Sequence, residues 1–162
     1  MHPSEQKPLR PFRPSPIGCI RKDPAFAGAV SLCAINALGT VTADIFRSLL
    51  TEQKNRELSA LFEETASAEL LQFRSLWQLT LALGGNPPVC PPRTPNCTRF
   101  LRREGEAGRF CLPEASHAQH RKIAEECRRL SVQSRDPVLT SLLIAVLKEE
   151  ERLLSLLSQS GF

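Results

Sequence analysis

Apolar residues recur along this chain at the three- and four-residue spacing of helices, in long stretches that proline does not interrupt. The prolines cluster at or before Pro24 and between Pro87 and Pro113, and the last is Pro137. Proline is excluded from helix interiors, so the intervals between these clusters are available to helices. Residues that favour strands are few and no segment alternates cleanly, so the pattern predicts an all-α protein.

Two Asp-Pro pairs mark the starts of predicted helices. Aspartate is a good N-cap and proline suits the first helical position. Helix one is therefore predicted from Asp23-Pro24 to about Leu50, and helix four from Asp136-Pro137 through the leucine-rich stretch that follows.

Helix two is predicted from about Arg56 to Leu83, because Gly84-Gly85 is a typical helix stop. One heptad row of this helix is apolar except at Glu69. The other members of the row are Phe62, Leu76 and Leu83.

Helix three is predicted from about Glu114 to Ser134, with an apolar stripe at Ile123, Cys127 and Leu130. Helix four repeats the interruption seen in helix two, because Glu150 lies one heptad from Leu143 and from Leu157. A carboxylate on the dry face of a helix needs a partner, so both glutamates are candidate site residues. In the alternative register, Glu150 faces solvent within an acidic run.

Four helices with periods close to 3.5 predict a four-helix bundle of two antiparallel hairpins. Residues 1–22 are rich in proline and basic residues and are predicted to form a flexible tail before a bundle over 23–162. The segment of about 86–114 is long and irregular, and we expect it to cross over between the hairpins.

Two motifs stand in order on either side of this crossover. Helix two carries Ala66, Glu69 and Gln72, followed by LALGGNP; helix four carries Asp136-Pro137, Leu142-Leu143, Glu149-Glu150 and Leu153. They resemble a ferritin-like pattern of Ala, two variable positions, Glu-x-x-His and Leu-Gly-Gly-Asn-Pro, then Asp-Pro, a leucine pair and Asp-Glu-x-x-His. The chain is most similar in these motifs to small bacterial rubrerythrin and manganese-catalase-like proteins.

The resemblance implies a dimetal site of iron or manganese with six ligand positions. They fall here at Thr40, Glu69, Gln72, His120, Glu150 and Leu153. Only Glu69 and Glu150 keep the family's ligand type, and His120 can coordinate but replaces a glutamate. Two carboxylates cannot neutralise two dications in a dry core, so we expect no intact dimetal centre. The alternatives are a single metal on Glu69, His120 and Glu150, or relic carboxylates held by hydrogen bonds.

Composition and charge exclude several classes of protein. The net charge is only +4 and there is no tyrosine, so nothing resembles a nucleic-acid surface. No run approaches the ~20 apolar residues of a membrane span, and the N-terminus has no apolar signal region, which predicts a cytoplasmic protein. The cysteines are then mostly free thiols. A zinc site at Cys90, Cys97, Cys111 and His117 is the alternative, although the spacing lacks a tight knuckle.

We therefore expect a ferritin-like bundle that has lost most dimetal ligands, with no catalytic residues, no cofactor, and a structural or protein-interaction role. Exposed leucines of helix four would suit a homodimer or another protein partner, and family analogy adds a bacterial coat or sporulation assembly. The alternative is an iron- or manganese-dependent oxidoreductase of peroxidase or catalase type, using the reduced site.

Overall fold

The computed structural model of the chain describes residues 16–87 and 113–160. Its α-helices are α1 (Pro24–Thr51), α2 (Arg56–Ala82), α3 (Pro113–Gln133) and α4 (Pro137–Gln159), preceded by a 3-10 turn at Pro16–Cys19. Neither described range contains a strand. The all-α class and the four helices are confirmed, with helix bounds within one or two residues of those predicted.

Both predicted Asp-Pro caps form. The side chain of Asp23 accepts a hydrogen bond from the backbone N–H of Phe26 at 3.1 Å. Asp136 accepts from the N–H groups of Val138 at 2.9 Å and Leu139 at 3.3 Å. These bonds satisfy backbone donors that a helix start otherwise leaves unpaired.

The double glycine ends α2 as predicted. Gly84 has a φ of 86°, in the left-handed region that favours glycine. A Cβ on Gly85 would lie 2.6 Å from the Cβ of Ala27, near the start of α1. The end of α2 is therefore packed directly against the start of α1, and only glycine permits this approach.

Side-chain contacts fix the helix directions. Ser48 of α1 meets Ser59 of α2, so α1 and α2 are antiparallel. Arg47 of α1 reaches Gln119 near the start of α3, and the free thiol of Cys33 hydrogen-bonds that of Cys127 farther along α3. Thus α1 and α3 are also antiparallel, and α2 ends and α3 begins at opposite ends of the bundle. A crossover needs this arrangement, but the predicted crossover lies outside the described residues, and the ferritin-like assignment stays a prediction.

The predicted heptad rows line the core. Phe62, Leu76, Leu143 and Leu157 are fully buried. Glu69 and Glu150 have no exposed surface, so the register that turns Glu150 toward solvent is wrong.

The leucines of α4 do not form the expected exposed surface. Leu139, Leu143, Leu153 and Leu157 are buried, and the other leucines of this helix are half-buried. The large hydrophobic side chains that are exposed lie mainly on α1.

The folded part of the chain begins before the predicted tail ends. Ile20 is buried and packs in the hydrophobic core, after the 3-10 turn at Pro16–Cys19. Residues 1–15 of the predicted tail lie outside the described residues, as do Cys90, Cys97 and Cys111 of the alternative zinc site.

Within the described ranges, α1 is the one helix long and apolar enough to cross a membrane by length and composition. Core helices of soluble proteins pass the same test, so this is weak evidence for a span. In this fold α1 packs against both α2 and α3.

Candidate metal centre

The centre of the bundle holds a cluster of polar side chains, one from each helix. They are Asp44 of α1, Glu69 of α2, His120 of α3 and Glu150 of α4, and all four have no exposed surface. Such groups are costly to bury unless they are paired and hydrogen-bonded. Their contacts with one another therefore decide what this core can do.

Asp44 is the best-satisfied carboxylate of the cluster. Its Oδ2 lies 2.9 Å from His120 Nε2 and accepts from Thr65 Oγ1 at 2.9 Å. Its Oδ1 accepts from Arg47 Nη1 at 2.7 Å and from Ser116 Oγ at 2.8 Å. Burial alone would raise the pKa of Asp44, but the hydrogen bond and charge of His120, with Arg47 and Ser116, hold that pKa below its usual value. Asp44 is ionised.

His120 is held from both sides of its ring. Nε2 faces Asp44, whereas Nδ1 lies 2.9 Å from Oε2 of Glu69 and 2.9 Å from Oε2 of Glu150. Burial lowers the pKa of His120, but the neighbouring carboxyl groups of Asp44, Glu150 and Glu69 outweigh it and raise the pKa to about 12. With both ring nitrogens facing carboxylates, His120 is an imidazolium that donates from each nitrogen.

The two glutamates are not fully satisfied by that arrangement. Nδ1 carries one proton, and its hydrogen bond goes to Glu150 Oε2. Glu69 Oε2 is equally near but lacks hydrogen-bond geometry, so Glu69 Oε1, Glu69 Oε2 and Glu150 Oε1 have no hydrogen-bond partner while both carboxyl groups are ionised. Burial first, and then a hydrogen bond with the neighbouring Glu150 and its charge, raise the pKa of Glu69 well above its usual value. Glu69 therefore keeps a proton at neutral pH.

The charges of the cluster cancel when Glu69 is protonated. Arg47 and His120 each contribute +1, and Asp44 and Glu150 each contribute −1, which gives zero. Without the proton on Glu69 the buried group would be a net anion, which a dry core disfavours.

The other predicted ligand positions do not join the cluster through hydrogen bonds. Thr40 Oγ1 donates to the carbonyl of Asn36 at 2.9 Å, and Gln72 Nε2 donates to the carbonyl of Val146 at 2.8 Å. Leu153 is fully buried and has no donor atom. Of the predicted partners for the glutamates, only His120 and the glutamates themselves are in place.

The sequence motifs predict the helix-one ligand position at Thr40, and the carboxylate that α1 adds to the cluster lies one helical turn further along. The carboxylate of α1 is Asp44, and its neighbour Arg47 is also buried. The sequence contains a signal for it, because Asp44 interrupts the buried stripe of Ala37 and Val41 just as Glu69 interrupts its own row.

The second histidine of α3 lies outside the cluster. His117 is half-buried, and its Nδ1 is 3.0 Å from Arg121. Burial and the Arg121 charge lower the pKa of His117. His120, three residues further along α3, has no exposed surface.

Glu69, His120 and Glu150 form the one group in the described part of the chain with metal-ligand geometry. One donor atom from each lies within 4.8 Å of the other two. The three residues predicted from sequence as a reduced site are thus brought together. Asp44 joins them by contacting Nε2, on the side of the imidazole ring away from the glutamates.

Comparison with family models, with curated proteins and with solved structures gives no match to this chain. The resemblance to ferritin-like proteins therefore rests on the sequence motifs alone.

Proposed function

We propose that this chain is a non-catalytic, ferritin-like helical bundle whose core holds one divalent metal ion in a structural role. The observation that carries the proposal is the set of three buried oxygens on Glu69 and Glu150 that have no hydrogen-bond donor when both carboxylates are ionised. Buried polar atoms are nearly always paired, so these oxygens indicate a ligand at this position. The imidazole of His120 faces the same place.

The donor set suits a transition metal. Two ligands that bind one ion at right angles at ~2.1 Å are ~3.0 Å apart, close to the 2.9 Å from His120 Nδ1 to each glutamate oxygen. That distance also fits a hydrogen bond, so the unpaired oxygens carry the argument. Carboxylates with one imidazole favour iron or manganese over a softer metal.

Asp44 completes the arrangement found behind many metal-binding histidines. It accepts from Nε2 of His120, which leaves Nδ1 free to coordinate once its proton is lost. Arg47, Thr65 and Ser116 in turn hold Asp44 in place. The chain therefore fixes both the tautomer and the orientation of the imidazole that metal binding needs.

The charge balance supports one metal ion and not two. Binding one dication would displace two protons, one from His120 and one from Glu69, so the buried cluster stays neutral before and after. A second dication would add charge for which the described cluster has no further carboxylate, because Asp44 is already paired with Arg47. A dimetal centre of the family type does not fit these residues.

The burial of the donors supports a structural role. All three have no exposed surface, so a substrate such as peroxide would reach them only if helices separated. A bound iron or manganese ion would supply redox chemistry, and the residues around it would exclude water and peroxide. Binding to the folded state alone would stabilise the bundle in proportion to the logarithm of metal concentration.

The test uses full-length protein from cells supplemented with iron and manganese. We expect about one metal ion per chain by elemental analysis, and about two protons released per ion in Mn²⁺ titration calorimetry with buffers of different ionisation enthalpy. Glu69→Gln and Glu150→Gln should abolish binding. Glu149→Gln, which alters an exposed pair with Arg152, is the matched control and should keep it.

Two results would overturn the proposal. Folded protein without bound metal, and without Mn²⁺ binding, would leave a proton-sharing network as the role of the cluster. Peroxide turnover that is lost in Glu69→Gln would favour the oxidoreductase alternative.

A further inference from the structure

The outer face of α1 differs from the rest of the surface. Residues 24–43 contain no charged side chain. Leu32 is 62% exposed and Leu49 is 60% exposed, and further exposed hydrophobic residues lie between and beside them. Contiguous apolar surface of this kind marks an interaction site.

The outer faces of α3 and α4 show the opposite character. They carry exposed ion pairs such as Arg128–Glu151 and Arg129–Glu126. Exposed large hydrophobic side chains also occur on the other helices, at Leu71, Leu81, Val132 and Ile144, but α1 carries five of the nine in the described residues.

Two glycines within α1 are not required by packing inside the described fold. Gly28 and Gly39 are exposed, and a Cβ at either would meet nothing within 4 Å. Each costs the helix roughly 1 kcal/mol relative to alanine. No neighbour within the described fold requires them, so we look for a chain outside it that approaches closely at these positions.

The exposed and half-buried residues of this face follow a strict heptad. Its positions are Ala25, Gly28, Leu32, Ile35, Gly39, Thr42, Phe46 and Leu49. We call this set the α1 face. The spacing is that of a two-helix seam.

We propose that the α1 face binds the α1 face of a second copy, with the two helices antiparallel about a two-fold axis near Ala37. Four different residue pairs then meet across the interface, and each pair joins a large residue of one copy to a small residue of the other. The pairs are Ala25 with Leu49, Gly28 with Phe46, Leu32 with Thr42, and Ile35 with Gly39 of the other copy. In-register parallel pairing instead sets large against large and glycine against glycine. The face is self-complementary only in the antiparallel arrangement.

Two other occupants fit less well. Residues 88–112 of the same chain carry five arginines and two glutamates, a poor match to an uncharged surface. A bilayer-bound helix typically has lysine or arginine along its flanks and a continuous apolar face, whereas the α1 face is interrupted by two glycines. A second copy meets both the absence of charge and the pattern of sizes.

The expected interface is modest. A helix of 28 residues is ~42 Å long and ~10 Å wide, which gives a footprint of roughly 400 Å² per copy. The groove beside it, of about 400 Å³, extends this area; its apolar lining includes Ile45, Leu49 and Leu70, and Glu52 and Glu63 also line it. The total lies near the lower limit for a specific complex, so the dimer should dissociate on dilution.

The test is sedimentation equilibrium of the full chain with thiols kept reduced, over about 1 to 200 µM. The 18.0 kDa chain should approach twice that mass at high concentration. Leu32→Glu and Gly39→Leu should both give monomers with unchanged helix content, because each changes an exposed position. Val132→Glu, at an 81% exposed site on α3, should remain dimeric.

A charge pair tests the orientation. In the antiparallel arrangement Leu32 faces Thr42 of the other copy, so adding Thr42→Lys to Leu32→Glu should restore dimerisation. Monomers of the wild-type chain at every concentration, a dimer that survives Leu32→Glu, or failure of the Thr42→Lys rescue would each overturn the proposal. Flotation of the wild-type chain with neutral phosphatidylcholine vesicles, lost in Leu32→Glu, would overturn it in favour of a lipid surface.

Discussion

The buried cluster predicts that the metal-free protein loses stability as pH rises. The folded state holds a proton on His120 with a pKa of about 12, against 6.5 for an ordinary histidine. It also holds a proton on Glu69, whose pKa is raised well above 4.5. Near neutral pH the unfolded chain binds neither proton fully. The folded state therefore binds more protons, and the free energy of unfolding must fall with pH.

The size of the effect follows from the number of protons. One proton corresponds to about 1.4 kcal/mol per pH unit, and two correspond to about 2.7 kcal/mol per pH unit. Between about pH 7 and 8.5 the loss is roughly 2 to 4 kcal/mol, a large share of a stability of ~5–15 kcal/mol. The His120 contribution is fully present below pH 6.5 and is lost as pH rises through its folded pKa. The Glu69 contribution is lost from pH 4.5 upward.

Other titrating groups limit the pH range over which the slope can be assigned to His120 and Glu69. His117 has a lowered pKa and acts in the opposite direction, but only near and below pH 6.5. The Cys127 thiol has a raised pKa because of its bond to Cys33 and its burial, and it adds to the loss only near pH 9 and above. Cys33 has a pKa lowered by its hydrogen bond to Cys127, so its thiol opposes the loss. Between these limits, the slope reports His120 and Glu69 less any contribution from this thiol.

The measurement is urea unfolding by circular dichroism with a chelator and a reducing agent at several pH values. Glu69→Gln is the control, because it removes one titrating proton and should lower the slope by about 1.4 kcal/mol per pH unit. If stability is flat or rises between pH 7 and 8.5, the proton assignment is wrong. Saturating Mn²⁺ should abolish the slope, since the metal-bound state, like the unfolded chain above about pH 7, holds neither proton.

Two further changes test the surroundings of the site and the packing of the first hairpin. Asp44→Asn leaves Arg47 and His120 without their carboxylate and should lower the free energy of unfolding in urea by ~3–5 kcal/mol. Asp23→Asn is the control, because asparagine is also a good N-cap and the change should cost little. A loss below ~1 kcal/mol for Asp44→Asn would contradict the role of Asp44. Gly85→Ala forces a Cβ against Ala27 and should lower the free energy of unfolding by ~1–3 kcal/mol, measured by thermal unfolding. Gly18→Ala is the control, because a Cβ there meets nothing within 4 Å. Equal melting temperatures for the two variants would refute the close approach of α2 to α1.

Much of the fold was predictable because its signals are local. An Asp-Pro pair caps a helix through bonds to residues two or three positions away, so α1 and α4 begin where the sequence indicates. The Gly84-Gly85 stop likewise depends on backbone geometry at one turn. Glu69 and Glu150 could be found because each interrupts a row of large apolar residues.

The rest of the site depends on contacts that no local pattern contains. α1 is rich in small residues, so its buried stripe is weakly marked and Asp44 does not stand out. A shift of four residues keeps a side chain on the same helix face, which is why Thr40 and Asp44 could not be told apart by periodicity. His120 sits in a polar stretch of sequence, and its burial follows only from the packing of α3 against α1 and α4.

The distribution of the cluster over all four helices also bears on how the chain assembles. The α1–α2 hairpin brings Asp44, Arg47 and Glu69, and the α3–α4 hairpin brings His120 and Glu150. Each hairpin holds one ion pair of its own, Arg47 with Asp44 and His120 with Glu150. The bond from His120 Nε2 to Asp44 forms only when the two hairpins dock in register. Since an unpaired buried charge costs several kcal/mol, misaligned hairpins are penalised far more than by loss of apolar contact. Pairing of the buried charges thus favours one alignment of the two largely apolar hairpins during folding, whether or not a metal later binds.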